Sequence, residues 1–160
     1  MTPYTLTPAW GLRDPSLEQA AIGFWRDLAI LPQGVDAAAR AAELVALARQ
    51  GDTVAGVSTA AIQEVPTVRS RFAMFRCAVA PAHRRSHLAT DLLLNAKTLI
   101  EQWSLAHPEA RVRGLGIVLE ADIGERGRIP LWPQSGMQLA GYTPEGRQLR
   151  LAWFAHARIG

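Results

Sequence analysis

Val79-Ala-Pro-Ala-His-Arg-Arg-Ser-His-Leu-Ala-Thr-Asp-Leu-Leu93 is the stretch on which the reading of this chain turns. Upstream of it, residues 68–80 read as a strand, with Ala73, Phe75, Cys77 and Val79 on one face. Downstream, Leu88, Leu92, Ala96, Leu99, Ile100 and Trp103 recur at helical spacing, which predicts a helix over 88–106 that His107-Pro108 ends. The two elements meet in a short turn carrying Pro81 and Arg84-Arg85, the only adjacent basic pair in the chain. Such a junction aims the free N–H groups of the turn and of the first helical turn at one place, and the positive end of the helix dipole reinforces them. With two guanidinium groups added, the junction suits an anion of the size of a pyrophosphate.

Working outward, residues 53–62 read as a second strand, joined to the 68–80 strand by a turn at Glu64-Val65-Pro66-Thr67. Further upstream the alanine- and leucine-rich run 36–50, stopped by Gly51, predicts a helix. Asp14-Pro15-Ser16 starts another, to about residue 30, with Leu17, Ala20, Ala21, Phe24, Trp25 and Leu28 on its apolar face. Residues 3–10 predict a first strand, with Tyr4 and Leu6 on one side. Downstream come a strand at 112–120, a short helical segment near 129–136, and a closing strand pair turned at Tyr142-Thr-Pro-Glu-Gly146. The order β-α-α-β-β-α-β-α-β-β implies an α/β domain with a mixed central sheet and helices on both faces. At 160 residues, one domain spanning the whole chain is expected.

Composition narrows the function classes. Apolar residues make up 49% and charged residues 19%, the balance of a folded globular chain. No window holds the roughly 18 apolar residues that a membrane span requires, and no basic-then-apolar leader opens the sequence. A single cysteine, Cys77, excludes an internal disulfide and a cysteine-rich zinc site. A cytoplasmic location and no metal are the expectation. The net charge of +3 is carried almost wholly by arginine, with Lys97 the one lysine. It suits a phosphate-bearing ligand but is too small to argue for nucleic acid.

At residues 79–93 the chain resembles the GCN5-related N-acetyltransferases (GNAT), whose motif runs Val-x-Pro, two residues, Arg/Gln-x-x-Gly-x-Gly/Ala, then a helix with paired leucines. Val79, Pro81, Arg84, Ala89, Leu92 and Leu93 match without a gap, and His87 stands where the first glycine is usual. The resemblance implies acetyl-CoA, or another acyl-CoA, as co-substrate. Its pantetheine arm would pair with backbone at Cys77, Ala78 and Val79, and its pyrophosphate would sit on Arg84, Arg85, Ser86, His87, Leu88, Ala89 and Thr90. It also implies that the Val79 N–H polarises the thioester carbonyl. The family's thiolate-protonating tyrosine is replaced by Trp132 in Leu131-Trp-Pro-Gln-Ser-Gly-Met137, and an indole packs on pantetheine but supplies no phenolic proton.

For a general base the first candidate is Glu120, ending the strand after the long helix, where Gly116 and Val118 on its face would leave room for substrate; Glu64 is second. His83 occupies a position that is often aromatic in the family and reads as packing or solvent-facing, and Cys77 reads as core. Phe24 and Trp25 lie where the family builds its acceptor site, although their spacing is that of ordinary core. The expected activity is acetyl transfer to a primary amine of a small molecule or peptide. The alternative is a GNAT-fold protein that binds acyl-CoA with weak or no catalysis, prompted by His87 and Trp132. No nucleic acid or membrane is expected as a partner, and a homodimer through an edge strand at 149–154 is a further expectation.

Overall fold

Asp14 and Pro15 start the first helix as the sequence leads one to expect. The Asp14 carboxylate accepts the Ser16 and Leu17 N–H groups at 2.9 and 3.3 Å, and proline occupies a position whose N–H would go unused. This helix belongs to a computed structural model that describes residues 4–160, so residue 3 of the expected first strand lies outside the described residues. The elements are β1 (Thr5–Pro8), α1 (Pro15–Asp27), α2 (Ala37–Ala41), β2 (Leu44–Gln50), β3 (Thr53–Val65), β4 (Ser70–Val79), α3 (Leu88–Ala106), β5 (Val112–Val118), β6 (Leu131–Trp132), β7 (Met137–Tyr142) and β8 (Gln148–Trp153). The eight strands form one mixed sheet in the order β1-β2-β3-β4-β5-β8-β7-β6, with β4 and β5 parallel.

Three expectations are corrected. The run 36–50 is not one helix: α2 stops at Ala41 and residues from Leu44 form β2, paired antiparallel with β1 and β3. Leu44, Val45, Ala46, Leu47 and Ala48 are all buried, so an inner strand covered on both faces reads as a continuous apolar run without alternation. The segment near 129–136 is not helical. After a 3₁₀ turn at Gly124–Arg128 it forms β6 and a turn, because Pro130 and Pro133 flank Leu131 and Trp132 and block helical hydrogen bonding. The closing strand β8 is not an edge. It lies between β5 and β7, so the edges are β1 and β6.

The described residues divide into two compact units: those up to Ala60 together with Arg76–Leu99, and Ala61–Phe75 together with Ile100–Gly160. In the first, Ala21, Phe24 and Trp25 of α1 pack with Ala41, Leu44, Leu47 and Val57. Burying the larger of these side chains stabilises by about 1.5–3 kcal/mol each, as an upper estimate. The neighbouring β3 residue, Gly56, faces the other way. A Cβ there would lie 3.2 Å from Leu88 Cδ2, Leu92 Cδ1 and the Ala78 carbonyl oxygen. Adjacent strand residues face opposite sides, so α1 and α3 cover opposite faces of this unit's strands. In the second unit Val65, Phe72 and Leu151 form a core against Met74, Leu149 and Trp153. No described helix is long and apolar enough to cross a membrane.

Candidate functional site

The turn after β4 is held by its own hydrogen bonds. Ala80 N–H donates to the Ala55 carbonyl at 2.8 Å, which ties the strand's end to β3. Pro81 opens a 3₁₀ turn over Pro81–His83, closed by His83 N–H on the Ala80 carbonyl at 2.8 Å. The Ser86 hydroxyl donates to the His83 carbonyl at 2.6 Å and accepts the Leu88 N–H at 3.2 Å, capping α3. Leu88 and Leu92 are completely buried beside Gly56, so the helix start is fixed by packing as well as by its cap.

The junction encloses a pocket of about 350 Å³, lined by Ile30, Cys77, Ala78, Val79, His83, Arg84 and Ala89. Successive N–H groups of a strand point to opposite edges. Ala80 turns its N–H toward β3, so Val79 turns its N–H and C=O to the other edge. There Arg84 Nε donates to the Val79 carbonyl at 3.1 Å. Earlier in β4, the parallel ladder with β5 pairs Arg71 with Val112 and Met74 with Gly116.

Of the residues that the sequence singles out, Cys77, Ala78, Val79, Arg84 and Ala89 line this pocket together. Arg85 and His87 are exposed at its helix end and Thr90 is half-buried. His87 is absent from the residues with positive φ, so the backbone where the motif usually has glycine takes a conformation open to any side chain. Ser86 acts inside the turn, and the Leu88 side chain is core. Cys77 does not fill core as expected. It lines the pocket with surface open to water, yet enough protein surrounds it that burial pushes its thiol up to about 11.

Two contributors escape a reading by sequence pattern. Ile30 comes from the segment after α1. His83, read from the sequence as packing or solvent-facing, packs on Tyr4 and also walls the pocket: its Nδ1 lies 2.7 Å from the phenol oxygen, with the rings edge to face at 5.4 Å. Tyr4 and His83 lie 79 positions apart, so no local spacing could have joined them.

The remaining candidates belong to the second unit. Trp132 is 8% exposed, its indole N–H donates to the Arg126 carbonyl at 2.8 Å, and the guanidinium carbons of Arg150 and Arg126 lie 4.1 and 4.8 Å from its ring centre. Its ring is therefore packed against two arginines of its own unit. Glu120 is exposed and pairs with Arg147 at the rim of a pocket of about 320 Å³. The room expected beside Gly116 is filled: a Cβ there would lie 2.6 Å from the Met74 sulfur and 3.0 Å from Leu151. Glu64 is exposed near the end of β3, and Phe24 and Trp25 are buried in the first unit's core.

No protein-family model matches the sequence, and no curated protein does either. Solved structures do resemble it. The ribosomal-protein-S18-alanine N-acetyltransferase from Escherichia coli superposes with a TM-score of 0.61 at 16% identity, over 98% of this chain and 97% of that one. An acetyltransferase of the GNAT family from Streptococcus pneumoniae gives 0.56 at 13%, over 94% and 99%. NAA60 from Arabidopsis thaliana, solved in complex with acetyl-CoA, gives 0.59 at 13%, over 94% and 98%. At these identities the likeness concerns architecture, and with the mixed eight-stranded sheet and three helices it establishes that this chain has the GNAT acetyltransferase fold.

Proposed function

We propose that the chain is a divergent member of the GNAT superfamily and transfers an acetyl group from acetyl-CoA to a primary amine of a small molecule or peptide. The observation that carries this reading is the pocket at the β4–α3 junction. It brings an outward-facing strand backbone, a helix N-terminus and the exposed Arg84 to one place, with Arg85 next in the chain. The residues fit the ligand: Cys77, Ala78 and Val79 offer an extended backbone edge to a pantetheine amide. Arg84, Arg85, His87 and the amides of Ala89 and Thr90 offer positive charge and N–H donors to a pyrophosphate.

In the reaction the neutral amine attacks the thioester carbonyl carbon. The C–N bond forms, the C–S bond breaks, the amine loses a proton and the thiolate gains one. The Val79 N–H is the donor placed to stabilise the carbonyl oxygen as charge grows on it. With the Trp132 indole committed to Arg126, the phenol in contact with this pocket's wall is Tyr4, through His83. It is the candidate for returning a proton to the thiolate.

The alternative of an acyl-CoA-binding protein with little turnover draws support from the same Trp132, buried where the family usually has a phenol. Free-thiol release from acetyl-CoA across a broad panel of amines decides between the two. Saturable binding with thiol release above the hydrolysis background supports transfer. Saturable binding with none supports the binding protein, and absence of binding at millimolar acetyl-CoA defeats both.

A further inference from the structure

Where α3 ends, the 3₁₀ turn Pro108–Ala110, the start of β5 and the segment after β8 enclose a cavity of about 210 Å³. It is lined by Ser104, Leu105, Pro108, Arg111, Val112, Arg113 and His156. The cavity lies wholly in the second unit and has no part in the acetyl-transfer reading. Arg111 and Arg113 enter it from alternate positions of one chain segment. Among the described residues neither guanidinium has an ion-pair or hydrogen-bond partner, although four other arginines find carboxylates.

The opposite wall is built from polar groups with fixed roles. The Ser104 hydroxyl donates to the Glu101 carbonyl at 2.7 Å, so its contact with His156 Nε2 at 2.9 Å requires the ring nitrogen to donate. That leaves Nδ1 as the second nitrogen of an imidazole in the cavity wall. The segment bearing His156 is pinned by Phe154 N–H on the Arg113 carbonyl and by Ala155 N–H on Glu101 Oε2, both at 2.8 Å. The Glu101 carboxylate is thus held by backbone, and among the described residues it pairs with neither arginine. Leu105, 61% exposed, and Pro108 supply an apolar lip.

Two unpaired cations side by side repel each other, and an anion held between them removes that cost. Two guanidiniums, beside an imidazole that donates from Nδ1 only as the imidazolium, match the charge of a phosphate dianion better than that of a single carboxylate, and the apolar lip leaves space for a small organic group. We propose that this cavity is a second anion site, which takes the phosphate of a small phosphate monoester.

The test is thermal unfolding with inorganic phosphate and, separately, with phosphoserine, against chloride at matched ionic strength. It uses the Arg84→Gln/Arg85→Gln protein, so that the other basic loop does not contribute. A saturable rise in Tm of about 5–10 °C at a hundred times the dissociation constant is expected. Arg111→Gln/Arg113→Gln should abolish it and His156→Gln reduce it. Arg111→Gln alone, at an exposed position, serves if the double variant does not fold. No saturable rise, a rise that survives loss of both arginines, or an equal rise with acetate overturns the proposal. A larger effect with phosphoserine than with phosphate would place the organic group on the apolar lip, and equal effects would assign the site to the free anion and overturn the monoester.

Discussion

Two groups of arginines in this molecule are spent in opposite ways. In the first unit Arg84 and Arg85 stand exposed at the start of α3, and Arg84 gives one N–H to the Val79 carbonyl. In the second, Arg150 has no surface open to water. It donates from Nε to Gln148 Oε1 at 3.0 Å and from Nη2 to the Gly127 carbonyl at 3.2 Å, and it lies against Trp132. Among the described residues no carboxylate faces it in a salt bridge, and burial, followed by the nearby Arg126 charge, pushes its pKa down. The comparison separates two uses of one side chain. A solvated arginine contributes little to folding and is free for a ligand. A buried one organises the carbonyls around it and is closed to ligands.

The largest effect that would break this contrast is on stability. Arg150→Ala removes three donors and a ring contact and leaves a void, so it should cost about 3 kcal/mol and lower Tm by about 6–12 °C. Arg150→Met keeps most of the volume and drops the charge, and it should cost less than about 1.5 kcal/mol. Chemical denaturation of both variants checks this. An alanine variant as stable as the parent would mean that Arg150 contributes nothing net and that the two groups do not differ.

Next comes the ligand side. Arg84→Glu/Arg85→Glu should leave the Tm of the free protein within about 2 °C, since both positions are exposed. Acetyl-CoA at a hundred times its dissociation constant should raise the parent's Tm by about 5–10 °C and the double variant's by almost nothing. A rise that survives the charge reversal would remove these arginines from the cofactor site.

The same contrast marks what the sequence makes legible. The β4–α3 junction reads correctly because its signals are local: proline opens the turn, and leucines recur at helical spacing over 88–106. The run from Asp36 misleads because an inner strand made of Leu44, Val45, Ala46, Leu47 and Ala48 has no polar face, and alanine favours helix when nothing else decides. Trp132 is legible as a departure from a motif, but the arginines around it come from positions 126 and 150 and are brought to it only by the sheet. Tyr4 on His83 and Ile30 in the pocket wall are likewise products of tertiary structure.

A smaller effect concerns Glu120. Its pair with Arg147 lies at the surface, so Glu120→Gln should change stability by no more than about 0.5 kcal/mol. Turnover with any accepted amine should stay within about twofold. A loss of about a hundredfold or more, with stability unchanged, would instead make Glu120 the base that takes the amine proton.

The smallest effect is at Cys77, on the wall that Arg84 shares. Its thiol is pushed up to about 11 in the fold, above the ordinary range that it has in the unfolded chain. As pH rises past that ordinary range the unfolded state releases this proton first. The stability due to the neutral thiol is therefore complete below the unfolded pKa and is lost as pH climbs toward about 11. Cys77→Ser should remove that slope from a stability–pH profile. Because water reaches the thiol, the slope should be well under the full linkage value. Alkylation by iodoacetamide at pH 8 should run about tenfold slower than for a free thiol, and slower still with acetyl-CoA present. Fast alkylation would mean that Arg84 stabilises a thiolate there. The pocket wall would then carry charge, and the exposed arginine would be spent on the protein after all, as Arg150 is.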